Sequence, residues 1–315
     1  MLKDFTQLIP VRDRHHNLKN VSTYYSDLDS KKLIVDSSTT PYDDIKFLEA
    51  NGFDYVYWGP MTYIDKMYKI HTELIDTEFS VDCPDDDIVL KQSIKESVEF
   101  LRDNPEYSAC DGEILWLDGR SNSLFVKHPN KFFGPLKEDF SSKDAIKRVE
   151  FDFNCCMSKQ HSVVRQSVPV LTWTTLKNYP PIQPISFIER FHVFVTAVVG
   201  NSKKLPLVHS IKSQNDDRLI NKPNLQNELK TDIQFIDNLD DEHLKPFINL
   251  LVDNTDGLSY GDGFIFFEKL IRDQLEGSSD LCHINTDNWD FRLGWETEKQ
   301  KYNSQITEAI NAMTS

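Results

Sequence analysis

Short apolar runs alternate with segments of helical periodicity along the first 120 residues. Apolar runs at 7–11, 32–35, 54–58 and 79–83 predict four strands. Apolar positions at helical spacing predict helices over 15–27, 42–50, 64–75 and 90–104. Strands that alternate with helices in this way are typical of βαβ units, so we expect an α/β fold with a mostly parallel central sheet flanked by helices.

The alternation loosens after residue 120. A β-branched run predicts a strand over 168–173, and the segment 185–199 has the spacing of a helix, although its β-branched content leaves a strand possible. Residues 215–281 have a mostly helical pattern. We therefore predict a first domain over 1–214, itself divided into halves at 1–120 and 121–214, and a mainly helical C-terminal region over 215–315.

Composition narrows the classes of partner. The chain has 315 residues and a formal net charge of −15, which argues against a general binder of nucleic acid or of anionic membranes. No run approaches the ~20 apolar residues of a transmembrane helix. The first residues lack the apolar run of a signal peptide, and five scattered cysteines indicate reduced thiols. We expect a cytoplasmic protein.

Polar clusters follow three of the predicted strands, at 12–14, 36–38 and 85–87. Ligands of parallel sheets bind beyond the carboxyl ends of the strands. The last cluster is Asp85, Asp86 and Asp87, three adjacent carboxylates that repel one another unless a cation or hydrogen bonds compensate. They can supply oxygen ligands to Mn²⁺ or Mg²⁺, which often takes only one or two carboxylates and completes its shell with water and a diphosphate. A solvated acidic turn that caps the next helix is the alternative.

A series of short blocks, in a fixed order and spacing, resembles a glycosyltransferase domain of the GT-A type. The resemblance is to the family-2-like group of bacterial and phage surface-polysaccharide biosynthesis. It covers about a third of the chain, from Leu8 to about Leu117, and continues more weakly through Glu189 and Gly200. The matching blocks are LIPVRDR at 8–14, HNLK at 16–19, the tyrosines at 24 and 25, IVDSS at 34–38, Lys66, DDD at 85–87, and SVEFLRDNPEYSA at 97–109 followed by Gly112.

The resemblance implies a Rossmann-like GT-A fold, a nucleotide-sugar donor (a UDP-sugar first) bound by the half 1–120, and Mn²⁺ or Mg²⁺ as cofactor. It implies transfer to a hydroxyl acceptor such as a glycan, bound by the half 121–214, with inversion at the anomeric carbon. The donor would be held by six residues and the metal by Asp87 and Asp85. Arg12 and Asp13 would lie by the base or ribose, Asp36 would accept a hydrogen bond from the base, Lys66 would approach the base, ribose or phosphates, and Asp85 and Asp86 would share the ribose and metal contacts.

The acceptor side is predicted less sharply. An inverting transfer needs a general base, usually a carboxylate, and we expect Glu189, with Asp111 as the second candidate. His209 is a candidate metal or diphosphate ligand, and Lys212 a candidate to neutralise the diphosphate. Each of these residues also has an ordinary structural interpretation. Three of the five tryptophans, Trp58, Trp116 and Trp173, are expected in the core more often than stacked on a sugar.

Two other classes remain open. A nucleotidyltransferase would share the parallel sheet and the metal carboxylates, but it would usually show a glycine-rich phosphate loop, and residues 8–14 contain no glycine. A catalytically silent protein that binds carbohydrate or nucleotide on the same fold is the other alternative. Nucleic acid as the acceptor is disfavoured by the net charge of −15, because binding a duplex requires neutralising its phosphates.

Overall fold

The computed structural model describes residues 2–118, 123–125, 139–154, 161–178, 185–214, 241–281 and 295–314. Its strands, numbered in chain order, are β1 (Leu2–Val11), β2 (Ser30–Asp36), β3 (Asp54–Tyr57), β4 (Phe79–Asp82), β5 (Ile88–Val89), β6 (Tyr107–Asp118), β7 (Ser123–Phe125), β8 (Asp139–Phe140), β9 (Val163–Arg165) and β10 (Asn201–Gln214). Its helices are α1 (Leu18–Tyr24), α2 (Ile45–Ala50), α3 (Tyr63–Lys69), α4 (Lys91–Asp103), α5 (Ala145–Asn154), α6 (Ser167–Lys177), α7 (Ile185–Val199), α8 (Asp241–Asp253), α9 (Tyr260–Leu281) and α10 (Trp295–Thr314).

These strands form one central sheet in the order β3-β2-β1-β4-β9-β6-β10-β5, with β7 beside β6 and β8 beside β10. Strands β1 to β4 pair in parallel, and β6 pairs in parallel with β10. Strand β9 lies between β4 and β6 and is antiparallel to both. The carboxyl ends of β1 to β4, β6 and β10 therefore meet at the edge of the sheet where β9 begins, here called the carboxyl edge.

The predicted α/β fold, with helices on both faces of a central sheet, is confirmed. The four predicted strands of the first 120 residues are present as β1 to β4. The apolar side chains of β1, β2 and β4 are mostly buried, whereas those of β3, at the end of the strand order, are half-buried or exposed. The segment 185–199 is a helix, as its spacing indicates. The long strands β6 and β10 were not predicted.

The predicted strand over 168–173 is wrong, since these residues belong to helix α6. Val168, Thr172 and Leu176 are buried on one side of this helix at its 3.6-residue period. Pro169 lies in the first turn, where a helix needs no backbone N–H donor. The Thr172 hydroxyl donates to the carbonyl oxygen of Val168 at 2.8 Å, a hydrogen bond that accommodates this β-branched residue in the helix.

Two hydrophobic clusters cover the two faces of the sheet. The first contains residues of α1 and α4, together with Ile306 and Ala309 of α10. The second contains α6 and α7, with Phe191 and Phe194 packed against Phe247 of α8. Helices of the C-terminal region thus pack into both cores, while the boundary at 214 stays a prediction. Within the described ranges, no helix combines the length and the hydropathy needed to cross a membrane.

Candidate functional site

Asp36 lies at the end of β2, fully buried at the carboxyl edge. Its Oδ1 accepts the backbone N–H of Ser38 at 2.8 Å. Its Oδ2 accepts the hydroxyl of Tyr55 at 2.6 Å and lies 2.8 Å from Nε2 of His15. Both oxygens therefore have protein donors, and the side chain that Asp36 fixes at this point is His15, a quarter of which is exposed.

Asp85 and Asp86 are joined by Arg14, from the loop that follows β1. One guanidinium nitrogen of Arg14 contacts Asp85, and the other contacts Asp86. The Asp85 side chain is fully buried, whereas that of Asp86 is 23% exposed and that of Arg14 is 37% exposed. Burial raises the pKa of Asp85 to about 6, although the charge of Arg14 opposes the shift. The arginine holds two adjacent carboxylates that would otherwise repel each other.

Lys66 of α3 lies beneath these groups, with 3% of its surface exposed. Its ammonium donates to the carbonyl oxygen of Val11, the last residue of β1, at 3.1 Å. Burial lowers the pKa of Lys66 to about 8, against the opposing attraction of Asp85 and Asp36. A buried lysine whose pKa is perturbed by burial and by specific charged neighbours is a candidate for a functional site.

Asp13 and Arg12 are at the exposed rim of the same edge. The backbone of Asp13 has a φ of 55°, a left-handed conformation that is uncommon outside glycine. Its Oδ1 accepts the backbone N–H of Thr39 at 2.9 Å and the Thr39 hydroxyl at 2.7 Å, so it ties the loop after β1 to the loop after β2. These hydrogen bonds lower the pKa of Asp13. Arg12 stays a candidate for the base or ribose by its position alone.

Asp87 faces the far side of the edge. Its Oδ1 accepts the backbone N–H of Ser213 on β10 at 2.9 Å, and its Oδ2 lies 3.5 Å from Nε2 of His161, which precedes β9. Burial, together with the charge of Asp86, raises the pKa of Asp87 to about 6, while Lys212 acts in the opposite direction. Burial lowers the pKa of Lys212, and Asp87 and Glu189 oppose that shift.

Glu189 is an exposed residue of α7 within electrostatic reach of Lys212. It also lies near the hydroxyl of Tyr63: burial of that hydroxyl, followed by the charges of Asp82 and Glu189, raises the pKa of Tyr63. The expected acceptor-side carboxylate is therefore at the same edge as Asp87, although the two are more than 100 residues apart in the sequence.

Asp111 and His209 are enclosed by protein. Asp111, 4% exposed, accepts the hydroxyl of Ser162 at 2.7 Å. His209, 1% exposed, lies with Nδ1 2.5 Å from the Ser93 hydroxyl and with Nε2 2.6 Å from the carbonyl oxygen of His161. Both ring nitrogens of His209 are engaged by protein groups, and its expected role as a metal or diphosphate ligand stays a prediction. The hydrogen bond from Ser162 ties Asp111 to the segment before β9, and its expected role as the second candidate base stays a prediction.

A divalent cation fits this edge through few protein ligands. Within the described residues, no three His, Cys, Asp or Glu side chains are grouped so that they would hold a metal ion. The Asp85 side chain is fully buried against Arg14. The pKa of Asp87 is raised, and a nearby cation would lower it again by stabilising the carboxylate. Mg²⁺ and Mn²⁺ need only one or two carboxylates when a diphosphate supplies other oxygens, so Asp87 fits such a cation better than Asp85.

The structure describes the surroundings of Trp58 and Trp173, two of the three tryptophans considered above. Trp173 is 4% exposed in the core, and the ammonium of Lys69 lies 4.3 Å from the centre of the Trp58 ring. The side chain of Trp116 lies outside the described part of the chain.

Sequence analysis missed four contributors to the site. Arg14 belongs to the polar cluster at 12–14, but only Arg12 and Asp13 of that cluster were predicted as site residues. His15 and Tyr55 meet at Asp36, and His161 meets Asp87 only because β9 is inserted antiparallel beside β4. No local pattern in the sequence signals that insertion.

Fold and site together define an α/β protein with a cluster of charged side chains at the carboxyl edge of its sheet. No family model matches the chain, and no curated protein matches it. Among solved structures it is similar to the mannosyltransferase PcManGT from Pyrobaculum calidifontis in complex with GDP-Man and Mn²⁺, with a TM-score of 0.48 and 10% identity over 98% of this chain and 87% of that chain. A likeness this distant assigns no activity.

Proposed function

We propose that the chain is a metal-dependent glycosyltransferase that moves a sugar from a nucleoside-diphosphate donor to a hydroxyl acceptor. The observation that carries the proposal is the meeting of buried cations and carboxylates at the carboxyl edge. Arg14 and Lys66 lie there beside Asp85, and Lys212 lies near Asp87. This combination suits a nucleoside-diphosphate donor, because the cations, and a metal ion held by a carboxylate, would neutralise the polyanionic leaving group as it departs.

The residues divide into a donor side and an acceptor side. On the donor side, Asp36 fixes His15, Arg12 and Asp13 form the rim by the base or ribose, and Lys66 and Arg14 supply positive charge toward the phosphates. Asp87, with Asp85 and Asp86 behind it, would hold Mn²⁺ or Mg²⁺. When bound, this cation would neutralise negative charge on the diphosphate.

Glu189 belongs to the acceptor side with Lys212 and Tyr63. A carboxylate there removes the proton of the acceptor hydroxyl, whose oxygen attacks the anomeric carbon as the nucleoside diphosphate leaves. We propose inversion at that carbon, a UDP-sugar as the first donor to test, and a glycan of a surface polysaccharide as the acceptor.

Thermal stabilisation by nucleotides tests the donor site. UDP, GDP, CMP and dTDP are each added with and without Mn²⁺, and the midpoint of unfolding is measured. One nucleotide is expected to raise it, more strongly with Mn²⁺, and Asp87→Asn is expected to abolish the metal-dependent part. The matched control is Asp103→Asn, the same change at an exposed residue at the end of α4. No stabilisation by any of the four nucleotides with Mn²⁺ present would contradict the proposal.

Release of nucleotide separates an enzyme from a silent binder. The corresponding sugar nucleotide is incubated with the wild-type chain and Mn²⁺, and free nucleoside diphosphate is measured. Turnover is expected even with water as the acceptor, at a slow rate. Binding without any release, in the presence of candidate glycans as well, would favour the silent carbohydrate- or nucleotide-binding protein. If added pyrophosphate is instead consumed, with formation of a nucleoside triphosphate and a sugar 1-phosphate, a nucleotidyltransferase would be favoured.

A further inference from the structure

A second polar cluster lies beside the donor site, at the end of β4. Its centre is Asp82, the last residue of that strand, whose side chain is 21% exposed. Facing it is His71, fully buried in a single π-helical turn, Ile70–Leu74, that continues α3. Turns of this type are rare, and they occur frequently at functional sites. None of the donor-side roles uses these two residues.

The hydrogen bonds of Gln166 fix the orientation of His71. The Gln166 amide nitrogen donates to the carbonyl oxygen of His71 at 3.0 Å and lies 3.3 Å from its Nδ1, while the amide oxygen accepts from Ser80 at 2.9 Å. A carbonyl oxygen can only accept, so the amide nitrogen is the donor toward this side of the ring. Nδ1 therefore acts as an acceptor, which leaves the proton of a neutral His71 on Nε2.

That Nε2–H faces Asp82. The distance from Nε2 to Oδ1 of Asp82 is 3.6 Å, longer than a hydrogen bond. The His71 Nε2 atom is buried without a hydrogen-bond partner among the described residues. Buried polar atoms in native proteins are rarely left unpaired. The pair is therefore set for a small approach of His71 to Asp82, or for a polar ligand group between them.

Tyr63 and Trp173 form the adjoining wall. The Tyr63 ring meets that of Trp173 edge to face, with centroids 5.4 Å apart, and Tyr63 is 38% exposed. Asp82 and Glu189 are both near enough to the Tyr63 hydroxyl to raise its pKa, after the larger effect of burial. The indole N–H of Trp173 is a second buried donor that has no hydrogen-bond partner in the described part of the chain. An aromatic side chain with exposed surface between two carboxylates is suited to a polyhydroxylated ligand.

We infer that Asp82, oriented by His71, is the catalytic base for the acceptor hydroxyl in place of Glu189, and that Tyr63 and Glu189 bind neighbouring hydroxyls of a carbohydrate acceptor. This inference rests on the proposed glycosyltransferase function. The acceptor oxygen forms its bond to the anomeric carbon, and the bond from that carbon to the diphosphate oxygen breaks. The electron pair leaves with the nucleoside diphosphate, and the acceptor proton passes to the Asp82 carboxylate. After the small approach that closes the 3.6 Å gap, His71 donates its Nε2–H to the other carboxylate oxygen and so acts as a positioning residue.

Release of nucleoside diphosphate from UDP-glucose, UDP-N-acetylglucosamine and GDP-mannose tests this assignment, with Mn²⁺ present and water as the acceptor. Asp82→Asn is expected to lower kcat by 100-fold or more, the range of a lost general base, with KM for the donor and thermal stabilisation by the nucleotide unchanged. Glu189→Gln is expected to lower kcat by less than tenfold, and Asp103→Asn to leave it unchanged. If kcat instead fell 100-fold or more in Glu189→Gln and did not fall in Asp82→Asn, Glu189 would be the base.

The outcomes separate the two proposals. If the wild-type chain releases nucleotide and Asp82→Asn does so at the same rate, the inference is overturned and the proposed function stands. If the wild-type chain releases none from the three donors, the function proposed for them falls, and the assignment of Asp82 falls with it.

The tautomer of His71 is an independent readout. Nitrogen chemical shifts of the imidazole ring at neutral pH are expected to show the proton on Nε2 in the wild-type chain and a shift toward the mixture of a free histidine in Gln166→Ala. A proton on Nδ1 in the wild-type chain would overturn the positioning role of His71.

Discussion

The charge of Lys66 is expected to lower the stability of the native chain at neutral pH. Its folded-state pKa is about 8, whereas an ordinary lysine has 10.5. Below pH 8 the side chain is charged in both states, so the native state bears the full cost of the buried charge. Each pKa unit corresponds to about 1.36 kcal/mol, so the difference of the two pKa values corresponds to roughly 3 kcal/mol. We predict that Lys66→Met raises the free energy of unfolding at pH 7 by an amount of this order.

The sign of the pH dependence follows from proton binding. Between pH 8 and 10.5 the unfolded chain keeps the Lys66 proton and the native chain has lost it, so wild-type stability rises with pH over this window relative to the variant. The difference between wild type and Lys66→Met should therefore close by roughly 3 kcal/mol as pH rises from 7 to above 10. Loss of the hydrogen bond from Lys66 to the Val11 carbonyl oxygen should change the stability of the variant little, because that oxygen also accepts the N–H of Ser37 at 3.0 Å.

Urea unfolding of both chains at half-unit intervals of pH measures this difference. Lys46→Met, at an exposed position on α2, is the matched control and should follow the wild-type curve. In the same series, nucleotide stabilisation should be lost in Lys66→Met and retained in Lys46→Met. A constant difference between wild type and Lys66→Met at every pH would refute the depressed pKa, and undiminished nucleotide binding by Lys66→Met would refute its placement in the donor site.

Three further predictions concern other parts of the molecule. Burial lowers the pKa of His192 to about 4, so the free energy of unfolding of the wild-type chain falls as pH decreases from 6.5 toward 4. In urea unfolding at pH 7 and pH 4, the fall in His192→Gln should be smaller by roughly 3 kcal/mol. Arg14→Gln removes the guanidinium that contacts the buried Asp85 and should lower the free energy of unfolding at pH 7 by about 1–3 kcal/mol. This is less than the cost of breaking a fully buried pair, because Arg14 is 37% exposed, and an unchanged unfolding midpoint would contradict it. Gly112→Ala would place a methyl group against a backbone carbonyl of β10 and should cost roughly 1–3 kcal/mol in the same assay, whereas Gly261→Ala, with space at its position, should not be destabilising.

The sequence predicts the first four strands and one edge of the site for a physical reason. Each strand is a short apolar run, and adjacent strands pair in parallel, so the polar residues that follow them meet at the same edge. Arg12, Asp36 and Asp85 are therefore placed by local periodicity and the rule for parallel sheets. Periodicity identified the helix of Lys66, but it did not indicate that this charged side chain faces the core.

The rest of the site depends on contacts between distant parts of the chain. Ser80 on β4 pairs with Val164 on β9, and this antiparallel insertion brings His161 to Asp87. No pattern within a window of ten or twenty residues encodes such a pairing. The same limitation explains the predicted strand at 168–173: its β-branched residues favour a strand locally, but burial of one helical side against the core decides the structure.

The arrangement of charge gives a physical reason for joint binding of nucleotide and metal. Arg14 contacts Asp85 and Asp86, Lys66 is attracted to Asp85 and Asp36, and Lys212 is attracted to Asp87. These cations are already set against carboxylates, so a diphosphate that entered alone would bring negative charge that they neutralise only in part. A divalent cation beside Asp87 would compensate that excess, and the diphosphate would in turn complete its coordination shell. Because each ligand removes an electrostatic cost of binding the other, the coupling must be reciprocal: Mn²⁺ should raise nucleotide affinity by the same factor by which the nucleotide raises Mn²⁺ affinity.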